Sequence, residues 1–84
     1  MAGGRAAGEL QRFVLRAAVL SQYRAFMRAL RGAPSPAARA ELRAEVRRAF
    51  DAQRAAADGH AVRFHLSDGR TRLKQLRDML NLGK

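Results

Sequence analysis

Residues 61–80, AVRFHLSDGRTRLKQLRDML, decide the fold of this chain. Taken locally, Val62, Phe64 and Leu66 alternate with Arg63 and His65 and run into Asp68-Gly69, the pattern of a strand entering a hairpin turn. Over the whole stretch, Val62, Leu66, Gly69, Leu73, Leu76 and Leu80 fall on one stripe with spacings of 4, 3, 4, 3 and 4, the pattern of an amphipathic helix. Nothing else in the sequence reads as a strand that could pair with this one, and a lone hairpin is marginal in water. The spacing therefore predicts a helix over about 61–81, with a kink or break at Gly69 as the alternative. Gly69 lies on the buried stripe, where a missing side chain permits close approach of another helix or leaves room for a ligand.

Upstream, no Gly or Pro interrupts residues 9–31, which are rich in Leu, Ala, Arg and Gln and predict a first helix. Val19, Leu20, Tyr23, Phe26, Met27 and Leu30 form its core stripe. Leu10, Phe13, Val14 and Ala17 sit on a rotated face, so the helix is apolar around more of its circumference than two neighbours would cover. Gly32-Ala33-Pro34-Ser35-Pro36 breaks the chain, with Ser35 placed as N-cap and Pro36 at the first helical position. A second helix is expected over about 36–58, burying Leu42, Val46 and Phe50 and closing at Asp58-Gly59. Short loops between three helices of similar length predict an all-α, antiparallel three-helix bundle with a left-handed sense. The single domain would span 9–82, with residues 1–8 a disordered segment or short leader. That segment carries Arg5, no acid and no long apolar run, which excludes a secretory signal.

In 84 residues only about twenty side chains are large and apolar, so the core is thin and a partner that covers part of it is expected. The absence of cysteine excludes disulfides, thiolate metal sites and thiol catalysis. No apolar run approaches the roughly 20 residues that span a bilayer. His60 and His65 lack a carboxylate at ligand spacing, and Ser21, Ser35, Ser67 and Thr71 have no matching His and Asp, so no cofactor of its own and no catalysis are expected. Gly3, Gly4 and Gly8 lack the strand and helix that frame a phosphate loop.

What remains is charge. The net value is +10, and arginine carries most of it. A GC-rich coding background raises Arg and Ala together and inflates the number without moving the charges. The net charge is +5 over residues 1–34, +1 over 35–58 and +4 over 59–84, so the first and third helices hold the excess. Arg24, Arg28 and Arg31 form one row and Arg39, Arg43 and Arg47 another. Like charges at i, i+4 cost about 0.2–0.5 kcal/mol per pair in an isolated helix, a cost reversed when an acidic surface lies opposite. Nucleic acid is one such surface, and a basic protein of a ribosome or other RNA-containing assembly is the alternative reading. The aromatic residues sit mostly at core spacing, which weakens it.

Val19-Leu20-Ser21-Gln22-Tyr23-Arg24, followed by Arg47-Arg48-Ala49-Phe50 and Arg54, resembles the mitochondrial LYR-motif family, with Gln22 in place of the first Leu. The likeness extends over about residues 9–81 and includes Asp68-Gly69 and Leu73-Lys74-Gln75-Leu76. It implies a non-catalytic three-helix adaptor of the mitochondrial matrix, peripheral to the inner membrane within a larger complex. Such a protein binds the acylated mitochondrial acyl carrier protein and serves assembly, with respiratory complex I the implied client. By the resemblance Arg16, Tyr23, Arg24, Arg47 and Arg54 meet the carrier. The partner's 4'-phosphopantetheine arm and acyl chain would run along Val46, Phe50, Leu66, Gly69 and Leu73.

Overall fold

The computed structural model describes residues 2–54 and 58–81, with the backbone alone for residues 2–7. Three helices follow one another: α1 (Ala2–Ala29), α2 (Pro36–Gln53) and α3 (Gly59–Asn81). The described residues contain no strand. The all-α reading holds, and the alternating 62–66 segment is helical, because the long stripe finds a partner helix whereas a strand there would leave its backbone groups unpaired.

The helix ends follow from local chemistry. α1 tightens into a 3₁₀ turn at Leu30–Gly32, and Ala33 is extended at φ −63°, ψ 143°. Ala33 precedes Pro34, whose ring disfavours helical backbone in the residue before it. Ser35 then caps α2, its hydroxyl accepting from the Ala38 N–H at 3.1 Å, with Pro36 in the first turn. Such a cap contributes about 1 kcal/mol.

Two boundaries differ from expectation. α1 begins at Ala2 rather than near Glu9. α2 ends at Gln53, with the Arg54 N–H donating to the Asp51 carbonyl at 3.2 Å. The expected end at Asp58 is corrected, because Asp58 starts the next helix instead. Its carboxylate accepts from the His60 N–H at 3.0 Å, and its carbonyl accepts from Val62. Residues 55–57 of the expected helix lie outside the described ones. α3 passes through Gly69 without a break.

Leu15 lies against Gly59, Gln22 against Gly69 and the 3₁₀ turn at Gly32 against Leu80, so α1 and α3 run parallel in matched register. α2 returns in the opposite sense and packs on α1 beside this pair. The core is small, consisting of Phe26 and Leu30 from the first helix and its 3₁₀ turn and Leu73 and Leu80 from α3, of which Leu30 is 1% exposed. α2 contributes no fully buried residue, and Leu42, Val46 and Phe50 are each half-buried. Leu20, placed on the core stripe by its spacing, is exposed instead, because it sits at the edge of that stripe away from both neighbours.

The result is elongated, with extents of 55 × 20 × 16 Å and a radius of gyration of 15.4 Å, against about 12 Å for a compact chain of this length. The accessible surface is 6593 Å², where a compact monomer of this mass exposes about 5,000 Å².

Candidate ligand groove and basic rim

α2 is joined to α1 through Phe50 near its C-terminal end, and a groove of about 490 Å³ remains between α2 and α3 with α1 as its floor. Phe26, Leu30, Leu42, Val46, Phe50 and Leu76 supply apolar lining, while Glu45, Gln53, His65, Asp68 and Arg72 stand among its polar groups. The volume lies within the roughly 300–1,000 Å³ of small-molecule sites.

Phe50 holds α2 to α1. Its ring packs edge-on against Tyr23 at 5.2 Å and against Phe26 at 5.7 Å between centroids. The Arg47 Nε–H donates to the Tyr23 hydroxyl oxygen at 3.2 Å across the same contact. The Tyr of the motif and the distal Phe thus form one joint between two helices.

Phe50 and Gln53 also line a second cavity of about 600 Å³, bounded by Leu15, Val19, Gly59 and Val62 and rimmed by Arg12, Arg16 and Arg54. The two cavities share the edge formed by Phe50 and Gln53. Arg54 makes a loose, exposed ion pair with Asp51 at 3.7 Å, which is worth little in water. Three guanidiniums around one opening make a positive field that favours an anionic group at its mouth.

The structure distributes the expected site residues over three places. Arg16 and Arg54 meet at the second cavity, and Tyr23 and Arg47 meet each other at the α1–α2 joint. Arg24 is exposed and lines neither cavity. Val46, Phe50 and Gly69 line the groove between α2 and α3. Leu66 and Leu73 do not; Leu73 is buried in the α1–α3 core, and the Leu66 carbonyl accepts a hydrogen bond from Gln22 Nε2 at 2.9 Å. At Gly69 the Gln22 amide fills the space a side chain would take, and the glycine also borders the groove.

Sequence reasoning passed over Gln22 and Arg12. Gln22 registered only as a departure from the motif, although a bulky residue on one core stripe and a glycine on the facing stripe are complementary volumes. Arg12 precedes Arg16 by one helical turn, and that spacing was the available signal. Among the described residues no group of three His, Cys, Asp or Glu could hold a metal ion, and no helix is long and apolar enough to cross a membrane.

A small helical bundle with an open apolar groove and a basic rim is what these elements define, and comparison with known proteins supplies the family. The Complex 1 protein (LYR family) model matches residues 17–75, and the chain belongs to that family. It is 35% identical over 79 residues to LYR motif-containing protein 2 of Xenopus laevis, which covers 94% of this chain and 91% of that protein. No solved structure matches the chain significantly. Proteins of this family are mitochondrial and generally non-catalytic.

Proposed function

We propose that the chain is a non-catalytic adaptor of the mitochondrial matrix that binds acylated acyl carrier protein and serves assembly of respiratory complex I. The observation that carries this reading is the groove between α2 and α3 joined at Phe50 to a cavity rimmed by Arg12, Arg16 and Arg54. A carrier protein presents an acidic surface with an acyl-pantetheine arm. The arginines meet the acidic surface, the 4'-phosphopantetheine arm enters beside Phe50, and the acyl chain lies along Val46, Phe50 and Gly69. At about 0.8 kcal/mol per buried CH₂, a dozen carbons give roughly 10 kcal/mol gross, less the cost of ordering the chain. That is comparable with the whole stability of a domain of this size, so binding requires the acyl group. The family's own description names complex 1, which supports that client.

Co-expression with dodecanoyl or apo carrier, followed by pull-down and mass measurement of the arm, tests the reading. Capture restricted to the acylated form is expected, and equal capture of apo carrier overturns the buried chain. Arg47→Glu with Arg54→Glu should abolish capture while helicity by circular dichroism is kept. Binding of RNA with a steep salt slope and no carrier complex would favour the RNA reading instead.

A further inference from the structure

Away from the groove, α1 presents a face that no described part of the chain covers. Leu10, Phe13, Val14 and Ala17 recur at i, i+3, i+4 and i+7 and all are exposed, Leu10 at 63% and Phe13 at 69%. The same line of the helix continues into Arg24 and Arg28 and on to Arg31 in the 3₁₀ turn, all of them exposed and making no ion pair among the described residues. Leu15, Val19, Gln22, Phe26 and Leu30, on the opposite side, face the bundle. One continuous face is therefore apolar along its first half and cationic along its second.

This lengthwise order selects the occupant. A helix that lies on a membrane carries its cations beside the apolar stripe, where hydrocarbon and headgroups are met at their own depths. Here the cations follow the stripe end to end, and a flat orientation would press the arginine row toward hydrocarbon. A second copy of the chain would bring another +10 charge against the first, which opposes association. A helix from a different protein, apolar at one end and carboxylate-bearing at the other, satisfies both halves through side-chain packing and charge-assisted hydrogen bonds. We infer that the outward face of α1 docks such a helix, with its apolar end on Leu10, Phe13 and Val14 and its carboxylates on Arg28 and Arg31. Arg28 and Arg31 line neither the groove nor the second cavity, so docking on them would leave the carrier in place.

A photoreactive benzophenone side chain substituted for Phe13 in the full chain, irradiated in cells and mapped by mass spectrometry, tests the inference. The expected product joins position 13 to a helical segment of one protein other than the carrier. Arg28→Glu with Arg31→Glu should lower its yield at least tenfold, and reversing the partner's facing carboxylates to arginine should restore it. Capture of dodecanoyl carrier by the Arg28→Glu, Arg31→Glu protein should be unchanged, which separates this surface from the groove. Crosslinks to lipid, to a second copy or to the carrier, or a yield indifferent to charge reversal, overturn the inference. So does binding of that charge-reversed protein and the parent alike to phosphatidylcholine–cardiolipin vesicles through Leu10 and Phe13.

Discussion

A Cβ at position 69 would stand inside the Gln22 amide, so these two residues share one volume and must be considered together. Elsewhere in a helix, Gly→Ala gains about 0.5–1 kcal/mol from backbone entropy. At Gly69 the added methyl expels the Gln22 amide and breaks its 2.9 Å bond to the Leu66 carbonyl, a loss of about 0.5–1.5 kcal/mol. Gly69→Ala alone should therefore leave stability nearly unchanged, whereas in a Gln22→Ala background it should stabilise. Urea denaturation of the four proteins checks this, and a coupling energy below about 0.5 kcal/mol, the level found for independent sites, would contradict the shared volume. The sequence marked Gly69 as a place where something approaches, yet it could not show what. A glycine reports missing volume on its own helix, and the filler is chosen by the register between two helices 44 residues apart in the chain.

Within α2, the element carries Leu42, Val46 and Phe50 but buries none of them fully, and its attachment is concentrated in the Phe50 ring between Tyr23 and Phe26. Phe50→Ala should destabilise by about 2 kcal/mol, less than the roughly 3–5 kcal/mol of a fully buried Phe. Its signature is selective. Hydrogen exchange of α2 amides should accelerate strongly while amides near Leu30 and Leu73 keep most of their protection, because α2 opens as a unit. Uniform loss of protection along the chain would instead make Phe50 part of the global core. The element types and the breaker at Gly32–Pro36 were legible from periodicity, Ser35 and Pro36. The end of α2 was not, because Asp58 can close one helix or cap the next, and only its carboxylate contact to His60 decides. The groove was half legible: Val46, Phe50 and Gly69 line it, but Leu73 turns into the α1–α3 core. Stripe membership says that a residue is covered and not which neighbour covers it.

At the scale of the molecule, four buried side chains among the described residues and an excess of accessible surface describe a fold held together loosely. If an acyl chain fills the groove, saturating dodecanoyl carrier at about 100 times Kd adds roughly 2.7 kcal/mol. Calorimetry should then show the melting temperature rising by roughly 10–20 °C, with apo carrier giving a small fraction of that rise. An equal shift from both forms would place the stabilisation on the surface contact alone. The parallel pairing of α1 with α3 has one more outcome, in the order of events during synthesis. Gln22 waits for Leu66 and the turn at Gly32 waits for Leu80, so closure of the core depends on contacts that span more than half the polypeptide. Helical proteins usually fold fast through neighbours in the chain, and distant pairings slow that step. During synthesis the bundle-facing side of the first helix therefore stays uncovered until the segment from Leu66 to Leu80 has emerged.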